Sequence, residues 1–177
     1  IKKDVTQQVP LLLADTGLDI FTSDKIFVSN YHGFSRSVLK KYGSVFHENL
    51  KSIDTLQSID DSNVKMTQTT VKGLSQEDAL FLSTFCDALK KCDSAFLETN
   101  LKNYCSVIIQ NLLPQGFISY NAILSLILLL FKEYPNVLEF YTKYYTTLLV
   151  DEYQDTNILS FEIIKSLIKE NTKVILL

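Results

Sequence analysis

Two adjacent carboxylates, Asp151 and Glu152, follow directly on a short apolar run, Leu148, Leu149 and Val150. Consecutive apolar residues bounded by polar ones read as a strand buried on both faces, the parallel-sheet type. In open α/β sheets, ligands bind just beyond the carboxyl ends of such strands. Two acids placed there suit nucleotide hydrolysis. One carboxylate can hold Mg2+, a hard cation that takes one or two protein carboxylates and keeps several waters. Its neighbour can orient the attacking water and accept its proton. Tyr153, Gln154, Asp155, Thr156 and Asn157 come next, completing the run DEYQDTN.

Hydrolysis also needs a grip on the phosphates, and no G-x-x-x-x-G-K-[ST] occurs. The five glycines, at 17, 33, 43, 73 and 116, are scattered and none precedes Lys-Ser/Thr. Without that loop there is no backbone cradle and no charge-neutralising lysine. These residues alone are therefore expected to hold Mg2+ and ATP weakly and to turn over no ATP. Arg36 is the single arginine among 17 basic residues, so an arginine finger would come from elsewhere.

The elements that position the acids follow from periodicity. After DEYQDTN, Ile158, Phe161, Ile164 and Ile168 mark an amphipathic helix ending near Asn171, and residues 173–177 form another apolar run. Strand, helix, strand is a βαβ unit. Near the other end of the chain, Ile26, Phe27 and Val28 suggest a short strand, followed by Ser-Asn-Tyr-His-Gly-Phe at 29–34. Phe34, Val38 and Tyr42 then share a helix face, Arg36 and Lys40 share another, and Gly43 supplies a stop. Taken singly, His32 is a helix-start histidine satisfied by the local backbone. Before this group, a helix over residues 5–13 would be broken by Pro10, and Gly17 could close the segment.

Between these ends, residues 44–73 are polar without a sustained period and read as a loop. Ser75 caps a helix with Leu80, Phe81, Phe85, Ala88 and Leu89 as its stripe. A second helix covers residues 94–112 and ends at Pro114 and Gly116. Residues 117–131 are apolar almost all round, as in a buried helix. Pro135 opens one more helix, whose Val137, Leu138, Tyr141, Tyr144 and Tyr145 read as a core stripe rather than a base-stacking surface.

Composition bounds the rest. Hydrophobic residues are 46% and charged residues 21%, which describes a globular chain. A net charge of −3 does not announce a nucleic-acid binder in bulk. Cys86, Cys92 and Cys105 form no zinc-type pair and read as reduced thiols of a cytoplasmic protein. The longest apolar run, 122–131, is too short to span a bilayer. The first residue is Ile1 and the last residues are an apolar strand, so an internal piece of a larger protein is expected.

DEYQDTN after an apolar strand resembles the Walker B element of UvrD/Rep/PcrA-type superfamily 1 DNA helicases. Residues 30–33 resemble the same family's Thr-Phe-His-Ser/Gly, which touches single-stranded DNA. Asn30 stands for Thr, Tyr31 for Phe, His32 for His and Gly33 for the small residue. Where relatives carry Asp-Phe/Tyr-Asp-Asp-Leu-Leu, this chain has Ser119-Tyr-Asn-Ala-Ile-Leu124, without the acids.

The resemblance implies an α/β fold: a partial RecA-like parallel sheet with flanking helices and an inserted all-helical subdomain. Residues 1–43 and 117–177 would be two parts of the RecA-like domain, and 44–116 the insertion. It implies an ATP-driven, 3′-to-5′ DNA helicase or translocase with Mg2+ and ATP as cofactors. Single-stranded and duplex DNA and the remaining helicase domains of the same chain would be its partners, with no membrane association. Asp151 would hold Mg2+, Glu152 act as general base, Gln154 and Asp155 couple nucleotide state to DNA, and Asn30, Tyr31, His32 and Gly33 line the strand. Two other functions compete. One is a non-hydrolysing, helicase-like DNA-binding or scaffold subunit of a recombination or nuclease complex. The other is a RecA-like nucleotide hydrolase that does not act on DNA.

Overall fold

A computed structural model describes residues 27–151, 153 and 156–176. The expected features at residues 1–26 lie outside these. Seven α-helices are seen among the described residues: α1 (Tyr31–Tyr42), α2 (Val64–Thr70), α3 (Gln76–Lys90), α4 (Ser94–Val107), α5 (Tyr120–Glu133), α6 (Pro135–Tyr144) and α7 (Ile158–Leu167). Four short strands accompany them: β1 (Gln57–Ser58), β2 (Phe117–Ile118), β3 (Thr147–Val150) and β4 (Lys173–Leu176). They form two parallel pairs, β1 with β2 and β3 with β4. The described chain is mostly helical, with two small parallel sheets; a wide RecA-like sheet is not among the described residues.

α5 is the axis of the molecule. Its apolar sequence leaves Ala122, Leu124, Leu126, Ile127 and Leu130 without exposed surface, and α1, α4, α6 and α7 all pack on it. One contiguous core results, running from Phe34 in α1 through Phe85 and Tyr104 to Leu167 in α7. Each large apolar side chain buried along it contributes roughly 1.5–3 kcal/mol.

Helix starts are set by side chains that satisfy orphan amide groups. Asn30, Asn63, Ser75, Asp93, Ser119 and Asn157 each accept a hydrogen bond from the backbone N–H three residues on. α6 instead starts with Pro135 in its first turn, where the missing N–H costs nothing.

Four expectations are corrected. Residues 44–73 are not a loose loop: two 3₁₀ segments (Gly43–Val45 and Glu48–Thr55), β1 and α2 occupy them, and Leu50, Ile53, Ile59 and Val71 are buried. Phe27 and Val28 are not in a strand. The helix from Ser94 stops at Val107 and continues as a π-helical turn (Ile108–Leu112). β3 is covered on one face only, since Leu149 is 62% exposed while Val150 is buried. Along β3, paired with β4, exposed Thr147 and Leu149 alternate with the more buried Leu148 and Val150.

β1 and β2 pair Gln57 with Phe117 and Ser58 with Ile118. They close the root of the helical excursion formed by α2, α3 and α4. β3, α7 and β4 form the strand–helix–strand unit, with Thr147 opposite Lys173 and Val150 opposite Leu176.

Candidate functional site

β3 ends at Val150, and Asp151 follows in an exposed bend at the strand's carboxyl end. Glu152, Gln154 and Asp155 lie outside the described residues. The loop is then held by a turn in which Thr156 N–H donates to the Tyr153 carbonyl at 3.1 Å. Asn157, the last residue of the DEYQDTN run, accepts from Ser160 N–H at 2.9 Å and starts α7. Its role in the motif is a helix cap, which fixes where the acid-bearing loop ends.

The second group sits at the start of α1. Asn30 Oδ1 accepts from Gly33 N–H at 2.7 Å, so this side chain is engaged in starting the helix. Gly33 is small for a reason: a Cβ there would lie 2.6 Å from Ser29 Oγ and 3.0 Å from Asn30 Oδ1. A larger residue would require the Ser29 side chain to turn away and would crowd the Asn30 cap. His32 is half-buried, and its ring meets Tyr120 edge-on at 5.4 Å. Burial lowers its pKa, the Arg36 charge reinforces this, and hydrogen bonding with the Tyr120 backbone opposes it. The net effect favours the uncharged imidazole, which can hydrogen-bond or stack.

Tyr31 brings the two groups together. Its hydroxyl shares a hydrogen bond with Thr156 Oγ1 at 3.1 Å, across 125 residues of sequence. Periodicity and spacing carry no sign of this contact. The one available signal is tyrosine where the resembled pattern has phenylalanine. Tyr120, 59% exposed and beside His32, is also absent from the residues picked out by sequence. It is the first residue of α5 and is displayed by the Ser119 cap.

Two of the basic residues of α1 make structural contacts. Arg36 Nη1 donates to the Ile53 carbonyl at 3.1 Å, and Lys40 pairs with Asp54 at 2.7 Å. Both tie α1 to the 3₁₀ segment that follows it.

A buried acid that sequence reasoning left in a loop lies at the root of the helical excursion. Asp61 is 2% exposed. It accepts from the Tyr104 hydroxyl, from Ser119 Oγ at 2.8 Å and from Cys86 Sγ at 3.4 Å. Burial raises its pKa despite these donors, and burial followed by the Asp61 charge pushes the Cys86 thiol up to about 12. Cys86, Cys92 and Cys105 are all free thiols.

Among the described residues no group of three or more His, Cys, Asp or Glu gathers as a metal site. Asp151 fits Mg2+ by donor chemistry, since that ion accepts a single hard carboxylate with waters and substrate phosphates completing its shell. No helix among the described residues is long and apolar enough to cross a membrane.

A comparison with curated proteins finds no match. Compared with known protein families, the chain matches the UvrD/REP helicase N-terminal domain over residues 1–177. A match of that extent joins the strand-end Asp151 and the capped 30–33 segment in one conclusion: the chain belongs to the UvrD/REP helicase N-terminal domain family.

Proposed function

We propose that the full-length protein is an ATP-dependent DNA helicase or translocase moving 3′ to 5′, whose ATP hydrolysis is stimulated by single-stranded DNA. The observation that carries this is the match to the UvrD/REP helicase N-terminal domain over residues 1–177, and beside it stands the 3.1 Å hydrogen bond between Tyr31 and Thr156. It sets the segment that would lie along DNA against the loop that carries the acids.

In this function Asp151 holds Mg2+ through its waters, and the ion would supply charge neutralisation at the transferring phosphate. Glu152 orients the hydrolytic water and accepts its proton. Gln154 and Asp155 pass nucleotide state to the DNA side. Asn30, Tyr31, His32 and Gly33 line the single strand, with His32 offering a neutral hydrogen bond. Residues 1–43 and 117–177 build one RecA-like domain and 44–116 its helical insertion, and the phosphate-binding loop comes from another part of the protein.

The test is ATP turnover by the full-length protein with and without oligothymidylate. Turnover is expected to rise at least tenfold with the DNA, by the logic that an activating ligand must favour the competent state. The 177 residues alone are expected to give none. Full-length protein that binds DNA but never hydrolyses ATP would contradict the proposal and favour the non-hydrolysing scaffold.

A further inference from the structure

Asp61 is a buried acid for which the proposed chemistry has no use, and it stands at the join between the helical excursion and α5. The parallel pairing of β1 with β2 sets Ser58 opposite Ile118, which brings the turn after β1 alongside Ser119, the residue that caps α5. That turn is itself tied down. Ser83 Oγ donates to the Ser62 carbonyl at 2.8 Å, and Thr67 Oγ1 donates to the Asp60 carbonyl at 3.2 Å. From it the Asp61 carboxyl accepts from Ser119 Oγ and from Tyr104, whose ring stacks on Phe85 at 3.9 Å. Cys86 Sγ, the third donor to Asp61, also accepts from Asn121 Nδ2 at 3.4 Å. The cluster thus holds the residue before Tyr120 and the residue after it. Tyr120 itself is 59% exposed, with the His32 ring against it and its backbone hydrogen-bonded to His32. Burying a carboxyl costs free energy that an apolar residue would not, and what the fold gains here is a fixed first turn of α5.

We propose that Asp61 is a positioning residue: through Ser119 it fixes the first turn of α5, so that Tyr120 and His32 stand together on the face that would meet a polynucleotide. The DNA part of this rests on the proposed helicase function. The helical excursion acts on that face from a distance, since Cys86 of α3 and Tyr104 of α4 orient the acid that orients the cap. With the acceptor at position 61 removed, the first turn of α5 would loosen and the His32 ring would lose part of its cover. A strand would then meet a less ordered pair and bind more weakly.

The experiment uses the full-length protein. The His32 titration is followed by NMR, its signal assigned by its loss in His32→Gln, and oligothymidylate Kd is measured in parallel. Asp61→Ala removes the acceptor, Asp61→Asn keeps one, and Tyr104→Phe loses a buried hydrogen bond while leaving Asp61 on Ser119. Asp61→Ala is expected to raise the His32 midpoint toward its ordinary value of 6.5 and to weaken oligothymidylate about fivefold, the weight of one hydrogen bond. Losing a remote negative charge would by itself lower that midpoint, so the direction separates loosening from electrostatics. Asp61→Asn and Tyr104→Phe should match wild type in both readouts. If Asp61→Ala does not fold, the Asp61→Leu/Tyr104→Phe pair decides, because it refills the site with apolar groups and leaves the Ser119 cap in place. A midpoint unmoved in the variant that lacks the acceptor, or moved equally in Tyr104→Phe, would overturn the positioning role. A midpoint that rises while oligothymidylate Kd stays at the wild-type value would overturn its bearing on DNA. Wild type that binds no oligothymidylate would instead fail the proposed function, and the titration would still decide what Asp61 positions.

Discussion

Asp61 shows how much one residue's surroundings can alter its chemistry. Asp60, its neighbour, is an exposed carboxylate held below its usual pKa by the Ser62 hydroxyl and amide. Asp61 is buried and held above it. A carboxyl whose folded pKa is raised binds a proton more tightly folded than unfolded. It therefore adds stability below the ordinary carboxyl value of 3.8, and that contribution is lost as pH rises through the folded value. In Asp61→Asn the titration is gone. Measured by thermal unfolding from pH 4 to 8, wild type is expected to lose stability relative to Asp61→Asn as pH rises. A relative gain would mean that Tyr104 and Ser119 hold the charged form more strongly than burial opposes it. The same three-donor arrangement fixes Ser119, whose Oγ also accepts from Ala122 N–H at 3.0 Å. Asp61 thus helps set where α5 begins and where Tyr120 stands beside His32.

At the scale of elements, the segment after α1 offers the sharpest test of packing. Leu50 is 0% exposed, and the Cβ position of Gly43 lies only 3.0 Å from Leu50 Cβ. Leu50→Ala is expected to cost about 3 kcal/mol in denaturant unfolding, as large-to-small changes in a tight core do; a loss below about 0.5 kcal/mol, typical of surface sites, would restore the loop description. The polar reading of residues 44–73 arose because each short turn buries only one or two apolar residues, so no period lasts long enough to register. α5 was legible for the opposite reason, being apolar over nearly its whole circumference. α7 lay between. Its apolar residues fit two stripes, and packing against α5 selects Leu159, Ile163, Ile164 and Leu167, leaving Phe161 and Ile168 exposed. α3 likewise buries Ala79, Leu82 and Phe85 and exposes Leu80. The Ser75 cap and the Pro135 start were readable because they depend on local chemistry alone.

For the whole molecule, α5 links the two chemistry-bearing regions from behind while Tyr31 and Thr156 link them directly. The position of Asp151 was legible because strand-end placement follows from a local pattern, an apolar run closed by acids. Its neighbourhood was not, because the contact with α1 joins Tyr31 to Thr156, 125 residues apart in sequence. The central claim is that the acids beyond β3 are the hydrolytic centre of a DNA motor. Replacing Glu152 by Gln in the full-length protein tests it most directly, with ATP turnover on saturating oligothymidylate measured alongside ATP binding. The account predicts turnover reduced by at least about 100-fold, the usual contribution of a positioned general base, with ATP affinity retained. Turnover equal to wild type would contradict it.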